Sequence, residues 1–312
     1  VLNGDIRVKT KYNIYILIFI ALSILAESGK AQELSPRAYW PAPKGTMVAF
    51  IGYQYSFGDI LTDPSLPLTG LDSQMHVGFL GYLQTFSLFN RTANLIIELP
   101  YAWVTTTGII VSSSGGTPNK RDISGIADIG ITFSINLIGA PTMGINEFQE
   151  LRNNPRQILG VSLKILAPTG AYEEDKLINI SSNRWAFKPK LGYMIPLAQK
   201  WLLELECGVW IFGHNNEFLG KTRKQNPIFA AELHLVRRFT PGFWAAIDLN
   251  FFGGGRTNLI DEDLQRNSRI GCTIAYPFAG RHSLKGGFSM GVITEYGDDF
   301  KSFTLGYNIL LN

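Results

Sequence analysis

The chain has 312 residues, with 28 Lys and Arg against 25 Asp and Glu and a formal net charge of +3. Near-neutrality of that kind supplies no electrostatic footprint for nucleic acid, which is excluded as a partner. Only two cysteines occur, Cys207 and Cys272, too few for a disulfide framework or a cysteine metal cluster, and both read as small apolar residues.

At the N-terminal end, Arg7, Lys9 and Lys11 precede an apolar run at residues 14–25, and Gly29-Lys30-Ala31 supplies small residues where a signal peptidase reads. About 20 apolar residues are needed to cross a bilayer as a helix, so this shorter run is expected to be a cleaved export signal, residues 1–31, with cleavage after Ala31. Residues 32–44, rich in Pro and aromatic side chains, form a periplasmic segment that either tucks into the mouth of the following domain or hangs as a tail. Residues 45–312 form that domain.

Nearly half of the chain is hydrophobic, 46%, yet helical periodicity is scarce. Alternation replaces it. Asp128-Ile129-Gly130-Ile131-Thr132-Phe133-Ser134-Ile135-Asn136-Leu137 switches between polar and apolar at every step, as does Trp201-Leu202-Leu203-Glu204-Leu205-Glu206-Cys207. A period of two describes a strand with two different environments. Twelve such segments are predicted, near residues 45–55, 73–85, 91–104, 125–137, 158–168, 184–195, 200–213, 226–239, 242–253, 266–276, 282–294 and 302–312.

The connections alternate too. Segments 56–72, 105–124, 169–183, 214–225, 254–265 and 295–301 are polar and mostly long, whereas residues 86–90, 196–199, 240–241 and 277–281 are short links. An exception is the stretch 138–157, where residues 145–151 are expected to form a small helix. Long loops on one side and short turns on the other predict an all-β, transmembrane, antiparallel up-and-down β-barrel of about 12 strands. A soluble sandwich also alternates, but the polar face here is Gly, Ser, Thr and Asn with isolated charges, which suits a crowded wet lumen better than a solvated exterior.

That face places Glu98, Asp128, Lys164, Arg184, Lys188, Lys190, Glu204, Glu206, Glu232, His234, Asp248, Arg269 and Lys285 in the lumen, as a solute path or as an ion-paired network stiffening the wall. A turn centred near Ala198 sets Lys190 opposite Glu206, a cross-strand pair worth up to about 1 kcal/mol. With both signs interleaved, little ion selectivity is expected. His282-Ser283 is the one adjacent His–Ser pair, but neighbours on a strand point to opposite faces, so no hydrolytic dyad is expected there. Neither a zinc-binding helix nor a phosphate-cradling loop appears, so neither enzyme activity nor a cofactor or metal is expected.

Specific stretches narrow the reading. Leu34-Ser35-Pro36-Arg37-Ala38-Tyr39, Asn136-Leu137-Ile138-Gly139-Ala140-Pro141, Asn183-Arg184-Trp185-Ala186-Phe187-Lys188-Pro189 and Arg281-His282-Ser283-Leu284-Lys285 lie along most of the chain. In these the chain resembles the meta-pathway phenol-degradation family of outer-membrane transporters. The resemblance implies a passive channel in the outer membrane of a Gram-negative cell for small hydrophobic or aromatic solutes, with outer-membrane lipid and lipopolysaccharide around it. The alternative is a closed barrel with a structural or partner-binding role. One departure stands out: the sequence ends Leu310-Leu311-Asn312, where barrels of this kind usually finish on an aromatic residue.

Overall fold

The structure is a computed structural model and describes residues 36–61, 68–112, 115–258, 265–295 and 297–312. The expected export signal lies outside the described residues. Among the described residues there are fifteen strands: β1 (Met47–Leu61), β2 (Leu68–Leu88), β3 (Arg91–Ser112), β4 (Gly115–Ile126), β5 (Ile129–Ile138), β6 (Ile158–Ala167), β7 (Ala186–Ala198), β8 (Trp201–Phe212), β9 (Asn215–Phe218), β10 (Lys221–Arg223), β11 (Ile228–Thr240), β12 (Phe243–Gly254), β13 (Gln265–Phe278), β14 (His282–Thr294) and β15 (Gly297–Leu310). A helix, α1 (Ile145–Asn153), lies between β5 and β6.

Each wall strand pairs antiparallel with its sequence neighbours, and β1 pairs with β15 from Val48↔Leu310 to Leu61↔Gly297, which closes the sheet. β4 and β5 share one place in the wall beside β3, interrupted at Ala127 and Asp128, and β9 and β10 form a separate hairpin. The result is a closed antiparallel barrel of 12 strands. Closure removes from the ring of strands the unpaired edges that lipid could not satisfy, and β4 extends from it paired to β3.

Turn chemistry fixes the short end. Phe89 and Asn90 both take positive φ, 49° and 56°, in the two-residue link between β2 and β3, the backbone of a type I′ hairpin turn. Pro241 and Gly242, the latter at φ 80°, reverse the chain between β11 and β12. The long end differs from expectation. Residues 105–124, read as a polar loop, are mostly ladder, with Thr105↔Asp122 through Ser112↔Gly115 continuing the β3–β4 hairpin. Val104-Thr105-Thr106-Thr107 and Ile109-Ile110-Val111 are β-branched runs that favour strand even where polar–apolar alternation has lapsed.

Alternation decides burial. Along β12, Trp244, Ala246, Asp248, Asn250 and Phe252 are buried while Ile247 is 56% exposed on the outer face. The outer face also carries Ile51, Leu80, Leu99, Trp103 and Leu305, all exposed. A continuous apolar exterior on a closed barrel is the mark of a lipid-facing wall. Among the described residues, no helix is long and apolar enough to cross a membrane.

Candidate functional site in the lumen

Inside, the barrel is divided lengthwise. Strands β7, β8, β11 and β12 carry a dry charged belt. Lys188 Nζ lies 2.9 Å from Glu232 Oε1, with both side chains almost wholly buried. Lys190 Nζ lies 2.6 Å from Glu206 Oε2 and 3.9 Å from Glu232 Oε1. His234 Nδ1 is 2.7 Å from Asp248 Oδ1, and Thr273 Oγ1 donates to Asp248 Oδ2 at 2.7 Å. Register explains the grouping, because Glu204↔His234 and Glu206↔Glu232 face each other across β8 and β11, and His234↔Asp248 across β11 and β12.

The Lys190–Glu206 contact forms, but not at the expected register. Gly192 stands opposite Glu206 and Lys190 opposite Gly208, with an irregularity between Pro196 and Ala198. The turn is centred between Gln199 and Lys200, with Ala198 opposite Trp201, and not on Ala198, so the pairing is two residues from expectation and the long lysine reaches its carboxylate diagonally.

Apolar layers bound the belt, so the interior is less uniformly polar than alternation implied. Toward the short turns, Met194, Leu202, Val236, Trp244, Ala246 and Ala275 form one cluster with Tyr39. Toward the long connections, Ala186, Trp210, Ile228, Ala230 and Phe252 form another. Residues 36–44 enter the first cluster. The Tyr39 ring lies against Gly160 and Gly192, where an added Cβ would come within 2.3 and 2.0 Å of ring carbons. Its hydroxyl pairs with Ser162 Oγ at 2.9 Å, Asn136 Nδ2 donates to its carbonyl at 3.0 Å, and Arg37 N donates to Glu204 Oε2 at 2.5 Å. Burial, with the Glu206 carboxylate, pushes the Tyr39 phenol up to about 12 against the opposing charge of Lys190. Burial also lowers Arg37 to about 10 despite Glu204, and its guanidinium lies over the rings of Trp40 and Trp244.

The other half of the lumen holds a cavity. A cavity of about 630 Å³ runs along β1, β2, β3, β5 and β6 on one side and β13, β14 and β15 on the other. Phe50, Phe79, Leu83 and Ile96 give it an apolar arc on three adjacent strands, which sequence reasoning missed. The signal was present: the register sets Gly52 opposite Phe79 and Gly81 opposite Phe50, and each ring covers the facing glycine, where a Cβ would lie 2.1 and 2.0 Å from it. The two ring centroids are 6.4 Å apart at 67°. Gln54, Ser302, Thr304 and Asn308 supply polar lining beside this arc.

The predicted lumen residues therefore separate. Glu98, Asp128, Lys164, Lys190, Arg269 and Lys285 line the cavity. Lys188, Glu204, Glu206, Glu232, His234 and Asp248 are buried in or beside the belt. Lys164 Nζ is 3.3 Å from Glu98 Oε2, and Arg269 donates to the Phe300 carbonyl at 2.6 Å and to Ser289 Oγ at 3.1 Å. Asp128 holds the β6–β7 connection: its Oδ1 accepts from Gly170 N at 3.1 Å and Ser181 Oγ at 2.6 Å, and its Oδ2 from Ser182 N at 3.1 Å. Arg184 lies just before β7 rather than in it, over the ring of Phe212 at 4.5 Å and bonded to Gln225. Burial and the nearby Arg223 charge lower its guanidinium to about 10.

His282 and Ser283 diverge as expected. His282 Nδ1 bonds to Tyr307 Oη at 2.6 Å, whereas Ser283 Oγ accepts from Asn308 Nδ2 at 3.2 Å. Among the described residues, no group of His, Cys, Asp or Glu is arranged to hold a metal ion.

Closure, the apolar exterior and an inward face carrying both charge and cavity define a transmembrane β-barrel of outer-membrane type. Residues 39–309 match the model of the family described as "Putative MetA-pathway of phenol degradation", and the chain belongs to that family. Its fold is shared by an outer membrane channel from Pseudomonas putida F1, at 22% identity and a TM-score of 0.71, covering 89% of this chain and 100% of that one. The β domain of a Bordetella autotransporter is more distant, at 14% identity and a TM-score of 0.50 over 86% of this chain and 100% of that one. No curated protein matches the chain in sequence.

Proposed function

We propose that the protein is a passive outer-membrane channel for small hydrophobic or aromatic solutes, surrounded by outer-membrane lipid and lipopolysaccharide. The observation that carries this reading is the cavity in the lumen, about 630 Å³, whose lining includes Phe50, Phe79, Leu83 and Ile96 together with Gln54, Ser302 and Thr304. Sites for small organic ligands fall in the range of roughly 300–1,000 Å³ and combine apolar walls with a few placed polar groups. A purely water-filled pore has no need of inward phenyl rings. Family membership and the shared fold of a bacterial outer membrane channel support the same reading. The half that holds the cavity is the solute path, and the belt on β7, β8, β11 and β12 is the rigid wall beside it.

A second reading, the closed barrel with a structural or partner-binding role, is favoured by one observation: residues 36–44 fill part of the lumen and bond to Glu204, Ser162 and Asn136. Single-channel recording separates the two. The channel reading expects a steady ionic current that falls in steps as phenol is added, and loses those steps in the Phe50→Ala, Phe79→Ala double variant. A folded barrel with neither current nor phenol response, co-purifying with a stable partner, establishes the closed reading instead.

A further inference from the structure

We infer that Arg237 and Lys200 form a site on the outer wall for the phosphate of an anionic phospholipid, at the short-turn rim of the barrel. The inference rests on the outer-membrane reading, with the short turns facing the periplasm, and is independent of what the lumen carries.

The outward faces of β8, β11 and β12 set Arg237 apart. Alternation turns the odd-numbered residues of these strands outward, from Trp201 to Ile211, from Phe229 to Phe239 and from Phe243 to Gly253. Among those positions Arg237 alone is charged. A guanidinium on a lipid-facing wall is costly at the bilayer midplane and tolerated near the interface, where a headgroup can meet it.

Its place is the last rung of the β8–β11 ladder, opposite Trp201. The guanidinium carbon lies 4.8 Å from the centre of the Trp201 ring and 6.0 Å from that of Phe239. From there an aromatic row continues round the wall, with Phe239 4.6 Å from Phe243 and Phe243 5.3 Å from Tyr276 between ring centroids. Such a row marks the level where hydrocarbon gives way to headgroups. Among the described residues the guanidinium meets these rings and no carboxylate. A ring beneath a guanidinium leaves its in-plane N–H donors for a phosphate, which matches their fork.

A second cation stands on the same edge. Lys200 is exposed in the turn next to Trp201, and its carbonyl accepts from Arg238 N at 2.8 Å, which ties the turn to β11. The rim as a whole is biased the same way. Among the described residues Lys44, Arg91, Arg156, Lys200 and Arg281 are exposed at this end, against the acidic side chains of Glu147 and Glu150 on α1. Phosphatidylglycerol, with its net negative headgroup, satisfies both the site and the rim, whereas zwitterionic phosphatidylcholine offers the phosphate without the net charge.

Quenching by brominated lipid reads the headgroup class beside Trp201. Trp103→Phe and Trp185→Phe remove the exposed tryptophans elsewhere, while Trp210 and Trp244 are buried and Trp40 packs against the Tyr39 cluster. The full chain with these two changes is reconstituted in phosphatidylcholine vesicles carrying the same small fraction of brominated phosphatidylglycerol or brominated phosphatidylcholine. Phosphatidylglycerol is expected to be enriched at Trp201 by about tenfold, the effect of one to two cations beside an anionic lipid. Arg237→Gln with Lys200→Gln removes most of that preference, whereas Arg281→Gln, in the β13–β14 turn, leaves it. The ratio between the two lipids is compared within each variant, and heat-modifiable migration on gels confirms folding. Equal quenching by the two lipids before these changes overturns the inference and leaves the cations of the rim to a soluble acidic partner. An equal fall in Arg281→Gln and in the double variant also overturns it, because the attraction then belongs to the rim and not to a site. Quenching by neither lipid means that this face does not meet hydrocarbon, which overturns the outer-membrane reading and the inference with it.

Discussion

Tyr39 rests its ring on Gly192, so closely that a Cβ at position 192 would stand 2.0 Å from Cε2. The missing side chains of Gly192 on β7 and Gly160 on β6 make the room for this ring. Gly192→Ala is therefore expected to weaken docking by about 1–3 kcal/mol, the usual cost of overpacking. Since about 1.4 kcal/mol is tenfold in an equilibrium, trypsin should cleave after Arg37 on the order of tenfold faster or more. Cleavage unchanged from wild type would mean that the ring does not hold the segment.

The same contact has a pH dependence. Docking raises the Tyr39 phenol from 10.0 to about 12, so the docked state prefers the neutral form. Its contribution is full below about pH 10 and is lost progressively as pH rises to about 12. Arg37 runs the other way, because a guanidinium lowered to about 10 gains in docking as it loses its proton above that pH. The informative quantity is the difference between wild type and Tyr39→Phe, followed by Trp40 fluorescence. That difference should stay constant up to pH 10 and then change in the direction of wild-type undocking.

The belt makes a prediction about stability. Lys188 and Glu232 are 0% and 1% exposed and 2.9 Å apart. Removing one member of such a pair strands the other charge, at a typical cost of about 3–5 kcal/mol, whereas replacing both with apolar side chains is often nearly neutral. Lys188→Met should therefore destabilise the barrel in urea titrations by about that amount, and adding Glu232→Leu should restore most of it. A double variant no more stable than the single one would show that the belt is a cooperative network larger than the pair.

Much of this interior was legible in the sequence, and the reasons for the rest are physical. Alternation located the outward apolar face because burial repeats every second residue on a strand. It did not show that Val104 to Val111 remains in the ladder, since there β-branching rather than alternation keeps the chain extended. The Lys190–Glu206 pair was legible in partners and not in register, because the turn falls at Gln199 and Lys200 and not at Ala198, a local backbone event. Which lumen residues line a cavity and which are packed shut depends on what lies across the barrel from them. Spacing along one strand carries no such information. Asp128 shows the limit well: it lies between β4 and β5, and its three loop partners are about 40 to 55 residues further along.

Asp128 accordingly gives a prediction at the long end. Its carboxylate accepts from the backbone of Gly170 and Ser182 and from the Ser181 hydroxyl, so one side chain orders the connection between β6 and β7. Asp128→Ala should release that connection and speed trypsin cleavage after Lys176 by about tenfold, the equivalent of losing a charge-assisted bond or more. Asp175→Ala, at an exposed position whose carboxylate bonds only its neighbour Lys176 among the described contacts, is the control and should leave the connection ordered. Equal cleavage of both variants would remove Asp128 from this role.

The outer face yields the last test, because consecutive residues of β12 are in opposite environments. Asp248 is 0% exposed and bonded to His234 and Thr273, whereas Ile247, one residue earlier, is 56% exposed among other apolar side chains. If that exterior lies in hydrocarbon, Ile247→Arg places a guanidinium against lipid. The cost of such a change in barrels of this type is about 2–4 kcal/mol at the bilayer midplane and falls to about 0–1 kcal/mol near the interface. Ile247 lies on the same level of the wall as Leu235 and Cys272, its register partners in the middle of β11 and β13, so the upper part of that range is expected. Reversible unfolding from lipid vesicles reads the difference directly. Ile247→Arg with wild-type stability in vesicles would mean that this face meets water, and the membrane-spanning reading of the barrel would fall with it.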